Sequence, residues 1–80
     1  MRLDKYLKVS RLIKRRTVAS DACSASRVSV NGKVAKPSHD VKVGDILEIS
    51  LGVAPLKVEV VRVTEHAQKA DADSMYRVID

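Results

Sequence analysis

The chain has 80 residues and a formal net charge of +5, and it contains neither Trp nor Phe. A chain of this length forms one domain that buries only about 60% of its unfolded surface, which leaves little room for an enclosed active site. The first 36 residues hold ten Lys or Arg against two Asp, a local charge of +8, whereas the remaining 44 hold five against eight, a charge of −3. Such polarity focuses a positive field and favours a polyanionic partner, with RNA as the leading candidate.

The sequence carries no sign of secretion or membrane insertion. Cys23 is the single cysteine, so there is no internal disulfide, and a buried thiol in a reducing compartment is expected. No apolar run is long enough to span a membrane, and the N-terminal residues lack the continuous apolar segment of a secretory signal. We therefore predict a cytoplasmic protein without a membrane partner.

Residues with catalytic or metal-binding chemistry are few and scattered. His39 and His66 lie in separate polar segments, and Asp71 with Asp73 forms an acidic pair typical of a solvated loop. No metal-ligand spacing, glycine-rich phosphate loop or nucleophile motif is present. We therefore expect no enzymatic activity and no cofactor.

Helical periodicity predicts two short helices at the start of the chain. An apolar stripe within residues 3–13 predicts a first helix that bends or ends near Ser10, because serine competes for backbone hydrogen bonds. A second helix is predicted over residues 15–25, where small side chains on the inner face allow close packing. The apolar stripe consists of Leu3, Tyr6 and Leu7, and the small inner face consists of Ala19, Ala22 and Cys23.

After Ser26 the period changes from 3.6 to 2, which predicts strands. Val28 and Val30 alternate with polar residues and lead into Asn31-Gly32, the strongest short hairpin signal, because a type I′ turn needs positive φ at both central positions. Residues 37–40 are predicted to form a loop and residues 43–45 a turn, followed by a strand at residues 46–50.

Two further strands are predicted in the C-terminal half. The first spans residues 56–63 with Leu56, Val58, Val60 and Val63 facing inward, and residues 75–79 add a closing strand through Tyr76, Val78 and Ile79. Residues 65–74 are polar and predict a loop or a frayed helical turn. The fold class is therefore α+β, with two N-terminal helices packed on a small, mostly antiparallel sheet of at least four strands.

The basic residues of the first half predict phosphate recognition. Arginine offers a planar fork for bidentate phosphate contact, so arginines rank above lysines, and the start of the second helix adds unpaired backbone N–H groups. The candidate RNA-binding residues are Arg2, Lys5, Lys8, Arg11, Lys14, Arg15 and Arg16, with Asn31 and Lys33 at the hairpin, where Lys36 also lies. No metal ligand is among them.

Simpler roles stay open for each of these residues. Asp4 has the spacing to pair with Lys8 at i, i+4, and Asn31 suits a turn on conformation alone. Tyr6 and Tyr76 are more consistent with core positions whose hydroxyls lie at the edge than with stacking platforms. Recognition is therefore expected to follow RNA shape and backbone rather than splayed bases.

Four sequence elements resemble the S4 RNA-binding domain family. They are the "RLD" start, an Arg opening the second helix, the "VNGK" hairpin and the "VKVGDIL" turn, and together they cover residues 2–49. More closely, the segments "KVSRLIKRRTVA" and "SMYRVI" resemble the RqcP family of ribosome-quality-control factors. The resemblance implies one S4-like (alpha-L) domain over residues 1–80, with its core motif at residues 2–50, and it supports Arg2 and Arg16 as the RNA contacts.

The same resemblance implies partners and a role. A member of this family is expected to bind obstructed large ribosomal subunits, to contact large-subunit rRNA and peptidyl-tRNA, and to work beside an RqcH-like factor that adds C-terminal alanine tails. A monomer is expected. One departure stands out, because the family usually has Gly where this chain has Ser26, and glycine avoids the cost of a left-handed conformation at a helix end.

Alternatives from other classes remain. The fifteen-kilodalton heat-shock branch of the family also binds obstructed large subunits but normally has a longer C-terminal extension. An rRNA-modifying enzyme would need a separate catalytic domain, for which 80 residues leave no space. A binder of duplex DNA or of anionic membranes is compatible with the charge alone.

Overall fold

The structure is a computed structural model that describes residues 1–50, 52, 54–65, 72 and 74–79. Two helices precede a five-stranded antiparallel sheet, which confirms the predicted α+β class. The elements are α1 (Leu3–Val9), α2 (Arg16–Ser24), β1 (Val28–Val30), β2 (Lys33–Val34), β3 (Ile46–Ile49), β4 (Leu56–Val60) and β5 (Tyr76–Val78). The strands lie in the order β2-β1-β3-β4-β5.

The core lies between the helices and one face of the sheet. Alternation along the three central strands sends every second side chain to this face, as the period-2 pattern predicts. The buried apolar set from the sheet is Val28, Val30, Leu47, Ile49, Val58 and Val60, and that from the helices is Leu3, Tyr6, Leu7, Ala19, Ala22 and Cys23. The small side chains of α2 let it pack closely, as expected.

Each helix is followed by a non-glycine residue in the left-handed region. Arg11 has a φ of 64° beyond α1, and Ser26 has a φ of 62° beyond α2. The Ser26 amide donates to the Cys23 carbonyl at 3.1 Å. The Arg27 amide donates to the Ala22 carbonyl at 2.9 Å, which completes a Schellman motif. Ser26 therefore adopts the conformation that glycine favours and carries its steric cost.

The first hairpin has the turn that the sequence predicts. Asn31 and Gly32 have φ values of 52° and 85°, so both central positions are left-handed, as a type I′ turn requires. Val30 pairs directly with Lys33 across the turn. The second strand of the hairpin is only two residues long, and it forms one edge of the sheet.

The strand predicted over residues 56–63 is shorter in the structure. β4 ends at Val60, because the amides of Val61 and Arg62 both donate to the carbonyl of Met75, at 2.8 and 3.0 Å, and this doubled contact interrupts the ladder. Leu56 is predicted to face inward but is 39% exposed, since it is the first residue of β4 and lies at the end of the strand. Val63 is partly buried against the core.

The C-terminal strand closes the sheet and ties it to α1. The Tyr6 hydroxyl donates to the Met75 carbonyl at 2.7 Å, and Met75 itself is fully buried. Burial raises the pKa of Tyr6, with a further contribution from Tyr76. The predicted core position of Tyr6 is confirmed, but its hydroxyl is enclosed and does not lie at the edge, while Tyr76 is half-buried.

Most of the polar segment predicted over residues 65–74 lies outside the described residues, as do His66, Asp71 and Asp73. His39 is exposed, in agreement with the expectation of a loop histidine. Within the described ranges, no helix combines the length and the hydrophobicity needed to cross a membrane, and no cluster of potential metal ligands occurs.

Candidate nucleic-acid interface

A buried carboxylate joins the starts of the two helices. Asp4, in the first turn of α1, has a side chain that is only 4% exposed. Its two oxygens accept hydrogen bonds from Arg2, Nε to Oδ1 at 3.2 Å and Nη2 to Oδ2 at 3.3 Å. Arg16 Nε lies 3.6 Å from Oδ2 of the same carboxylate. We call Arg2, Asp4 and Arg16 the Asp4 cluster.

This arrangement replaces the pair of Asp4 with Lys8 that helical spacing allowed. The Asp4 carboxylate is directed to Arg2 and Arg16, and its Oδ1 also accepts the Lys5 amide at 2.7 Å. A buried carboxylate needs partners, and two guanidinium groups with a backbone amide supply them. The pairing with Lys8 is therefore wrong.

The Asp4 cluster keeps most of its donors available to solvent. The side chains of Arg2 and Arg16 are 54% and 49% exposed. Arg2 uses two of the five N–H donors of a guanidinium on Asp4, and at 3.6 Å Arg16 is an ion pair without a hydrogen bond. One carboxylate between two guanidiniums leaves a net positive charge at the surface, with the donors pre-oriented for an anion.

The amides at the start of α2 add to the same site. No side chain caps this helix at Arg15, and its first internal hydrogen bond runs from the Ala19 amide to the Arg15 carbonyl at 3.0 Å. The amides of Arg16, Thr17 and Val18 therefore have no partner within the helix and carry the positive end of its dipole. An anion beside Arg16 meets both the guanidinium and these N–H groups.

The start of α1 differs in this respect. Its Leu3 amide donates to the His39 carbonyl at 2.8 Å, and its Asp4 amide donates to the Pro37 carbonyl at 3.1 Å. These backbone contacts consume the donors that an anion would need. Of the two predicted helices, α2 is thus the one whose N-terminus is open.

The other candidate basic residues differ in their exposure and in their ion pairing. Within the described part of the chain, no acidic side chain pairs with the exposed residues Lys8, Arg11, Lys14 or Arg15. Lys5 is instead ion-paired with Glu65 and is only one-third exposed. Lys33 is exposed at the far side of the type I′ turn.

Asn31 has a structural role that sequence reasoning underestimated. Its Nδ2 donates to Asp45 Oδ1 at 3.1 Å, and its Oδ1 accepts the Ile46 amide at 2.9 Å. Asp45 in turn accepts the Lys42 amide at 2.9 Å. The "VNGK" hairpin and the "VKVGDIL" turn are therefore joined through these two side chains, so the Asn31 amide group is engaged within the protein.

The thiol of Cys23 lies beneath the site. It is 3% exposed, and burial raises its pKa to about 11, with a smaller contribution from the negative charge of Asp4. The thiol is therefore neutral and unreactive at physiological pH, which agrees with the expectation of a buried structural cysteine.

The most informative feature that the sequence did not reveal is the sharing of Asp4. Arg16 is twelve residues away from it, and helix periodicity predicts only contacts three or four residues apart. In the sequence, the only sign of this contact was that the "RLD" start and the Arg that opens the second helix occur together. The packing of α1 on α2 brings these residues into one cluster.

Comparison with known proteins adds independent findings. The family model of the S4 domain matches residues 1–47. The chain is 52% identical over 79 residues to the RQC P-site tRNA stabilizing factor of Streptococcus pneumoniae, covering 99% of this chain and 90% of that protein. It is 47% identical over 79 residues to the factor of the same name from Bacillus subtilis, covering 99% and 92%.

The fold is also similar to a solved structure. Heat shock protein 15 of Vibrio cholerae, described as trimeric, matches with a TM-score of 0.90 and 28% sequence identity over 98% of this chain and 80% of that chain. The similarity extends beyond residues 1–47 to the C-terminal strands.

Proposed function

Given that the chain belongs to the S4 domain family and, within it, to the RQC P-site tRNA stabilizing factors, we propose that it is a noncatalytic RNA-binding protein of ribosome quality control. Its role is to hold a tRNA on the ribosome. A ribosomal role places it in the cytoplasm.

The observation that carries this proposal is the Asp4 cluster beside the open N-terminus of α2. Two half-exposed arginines are held by one buried carboxylate, next to amides that have no helical partner. Charge-assisted contacts to phosphate are stronger than neutral hydrogen bonds, and a fixed guanidinium loses less conformational freedom on binding. The site therefore suits an ordered RNA backbone.

The proposed target is the large ribosomal subunit still obstructed by peptidyl-tRNA. The protein contacts both rRNA and the tRNA backbone and stabilises the tRNA in one position, which shifts the population of tRNA states without any bond chemistry. An RqcH-like factor on the same particle then supplies alanyl-tRNA, and the ribosome transfers the peptide. The similarity to RQC P-site tRNA stabilizing factors supports the tRNA contact and the quality-control role, and the large subunit and the tailing partner are part of the proposal.

Affinity purification of the tagged full-length chain tests this function. The bound particles are separated on a sucrose gradient and their RNA is identified. We expect free large subunits that carry tRNA to be enriched. Recovery of intact translating ribosomes alone, or of no ribosomal particle, contradicts the proposal.

Two matched arginine variants show whether the recovered particles depend on the proposed site. Arg16→Ala removes an arginine of the Asp4 cluster, whereas Arg77→Glu changes an exposed arginine on β5 that is paired with Glu59. We expect Arg16→Ala to lose the large subunits and Arg77→Glu to retain them. In a strain lacking the protein, C-terminal alanine tails on stalled chains should return with the unmodified chain and not with Arg16→Ala.

The resemblance to the heat-shock branch of the family implies a second candidate, the recycling of large subunits that carry nascent chains, and the similarity in fold to heat shock protein 15 is consistent with it. Both functions predict large subunits in the purification. The two functions differ in whether they require C-terminal alanine tails, because recycling does not require alanine addition. Unchanged tailing in a strain lacking the protein, together with accumulation of obstructed large subunits, favours recycling.

A further inference from the structure

A cleft of about 620 Å³ lies between α2 and the segment that begins at the last residue of β2. One wall is the stripe of α2 that carries Ser20 and Ser24, continued by Ser26. The other wall is residues 34–38, which include Ser38. We call this space the serine cleft. Four serines, three from residues 20–26 and one from the opposite wall, line this opening.

The walls of the serine cleft are fixed by backbone contacts on the loop side. The Ala35 amide donates to the Val28 carbonyl at 3.1 Å, and the His39 amide donates to the Lys36 carbonyl at 3.0 Å. The Pro37 carbonyl accepts the first-turn amide of α1 at 3.1 Å. The opening therefore exists before any ligand binds, and a ligand does not need to order the loop.

The lining has the charge for an anion. Arg2 and Lys36 both border the cleft, and among the described lining residues none is acidic. Arg2 retains three N–H donors beyond its two bonds to Asp4. The charge of this opening is therefore positive where a phosphate would enter.

The remaining lining has the chemistry of a nucleoside. Hydroxyl groups both donate and accept, so they match the sugar hydroxyls and the edge of a base, and none of the four serine side chains is hydrogen-bonded to another described residue. Val34, which is 60% exposed, and Pro37 provide an apolar surface for the flat face of a base. The volume lies within the range of pockets for small ligands, about 300–1,000 Å³.

We propose that the serine cleft holds one unpaired nucleotide of the bound RNA. This inference rests on the proposed RNA-binding function. Arg2 belongs to both the Asp4 cluster and the cleft, so a strand whose phosphate lies on the cluster continues directly into the opening. A nucleotide displaced from a stem is the RNA feature that proteins reach most readily. Recognition therefore extends beyond the backbone contacts that the sequence predicted.

The test compares two RNA hairpins that differ by one unpaired nucleotide in the stem. Binding of the full chain is measured by fluorescence anisotropy at one salt concentration. Because a nucleotide adds several hydrogen bonds of modest individual strength, we expect the bulged hairpin to bind about tenfold more tightly. Equal binding of the two hairpins overturns the inference while leaving RNA binding intact, whereas binding of neither hairpin counts against the proposed function itself.

A matched pair of variants locates the effect. Ser24→Leu fills the serine cleft, and Ser50→Leu adds the same bulk at an exposed serine after β3, outside the cleft. We expect Ser24→Leu to lose the preference for the bulge and to keep the affinity for the paired hairpin, and Ser50→Leu to keep both. If Ser24→Leu retains the preference, the cleft is not the binding site.

A second pair avoids any concern about added bulk. Lys36→Gln removes a cation of the cleft, and Lys57→Gln removes an exposed lysine from β4. Lys36→Gln should weaken binding of the bulged hairpin more than binding of the paired one, and Lys57→Gln should not discriminate. Titration with AMP alone should show weaker binding than the bulged hairpin, because a free nucleotide lacks the contacts at the Asp4 cluster; binding of AMP as tight as that of the bulged hairpin assigns the cleft to free nucleotides and overturns the RNA assignment.

Discussion

The outer face of the sheet and the starts of the helices use charge in different ways. On β3, β4 and β5, both basic residues stand opposite an acidic residue in direct register, Lys57 opposite Glu48 and Arg77 opposite Glu59. Arg77 and Glu59 form an exposed ion pair. Exposed one-to-one pairs of this kind contribute about 0–1 kcal/mol to stability, and they cancel each other's field.

At the helix starts, one buried acid serves two bases. Asp4 is almost fully enclosed, and the guanidiniums of Arg2 and Arg16 that it holds are half-exposed. The cluster therefore keeps an uncompensated positive charge and presents it in a fixed geometry. From this comparison we infer that an excess of bases over acids at one site, more than the local number of arginines, marks the surface proposed to bind RNA.

The strongest prediction removes one of the cluster arginines. A charge-assisted contact to phosphate contributes roughly 1.5–3 kcal/mol, so Arg16→Ala or Arg2→Ala should lower the affinity for purified large ribosomal subunits about tenfold or more. Stability should change little for Arg16→Ala, which leaves the two Arg2 hydrogen bonds to Asp4 in place, and should fall for Arg2→Ala, which removes both of them from a buried carboxylate. Cosedimentation measures the affinity and thermal melting the stability. A variant with a lowered melting temperature and normal binding would show that the cluster arginines stabilise the fold and do not bind RNA.

The sheet region should show the opposite behaviour. Gly32 has a φ of 85°, and a Cβ added there would meet nothing within 4 Å, so a substitution is penalised by backbone conformation alone. Gly32→Val should therefore cost about 1–3 kcal/mol of folding free energy. Chemical denaturation measures this loss. An unchanged denaturation midpoint would mean that the hairpin tolerates a different turn.

For the carboxylate of the Asp4 cluster, the charge argument and the positioning argument predict opposite changes in RNA affinity. Asp4→Asn makes the protein more positive, so charge alone predicts tighter RNA binding. We expect weaker binding, by about two- to tenfold, because releasing a rotamer-rich side chain adds about 0.5–1.5 kcal/mol of ordering cost on association. Binding is measured by cosedimentation well below the melting temperature of the variant.

Asp21→Asn is the matched control for this change. Asp21 is exposed on α2 and makes no ion pair with any residue that the structure describes, so its loss changes charge without altering the cluster. It should bind as tightly as the unmodified chain or slightly more tightly. Equal gains in affinity for both variants would show that Asp4 has no positioning role.

The smallest effect is expected at the end of α2. Ser26 has a φ of 62° within a Schellman motif, and glycine removes the steric cost of this conformation. Ser26→Gly should raise stability by roughly 0.5–1 kcal/mol, part of the gain being offset by the greater freedom of glycine in the unfolded chain. Affinity for a fully paired RNA hairpin should not change, whereas the preference for a bulged hairpin should fall slightly, because Ser26 contributes one hydroxyl to the serine cleft. A lower melting temperature would indicate that the serine hydroxyl stabilises the helix end.

Local rules predicted the elements of this fold well. Both helices, the end of α1 at Ser10 and the left-handed pair Asn31-Gly32 follow from periodicity and turn chemistry, which act over a few residues. The extent of β4 did not follow, because its end depends on a doubled contact to the Met75 carbonyl across the sheet. The hydrophobic pattern of a strand does not indicate which carbonyl on another strand its amides will contact.

For the candidate site too, the local features could be predicted from the sequence and the long-range contacts could not. The concentration of arginines at the helix starts was visible in the sequence, and so was the open N-terminus of α2. The sharing of Asp4 and the internal use of Asn31 were not visible, because each depends on residues twelve or more positions away. Both are consequences of tertiary packing, which brings together side chains whose spacing carries no periodic signal.

The salt dependence of binding to large ribosomal subunits tests the central claim most directly. Each phosphate contact that is lost reduces the slope of log affinity against log salt concentration by about 0.7–0.9. Arg16→Ala should flatten the slope by about this amount, and Arg77→Glu should leave the slope and the affinity nearly unchanged. An intact slope for Arg16→Ala together with abolished binding for Arg77→Glu would place the RNA-binding surface on the sheet and contradict the account.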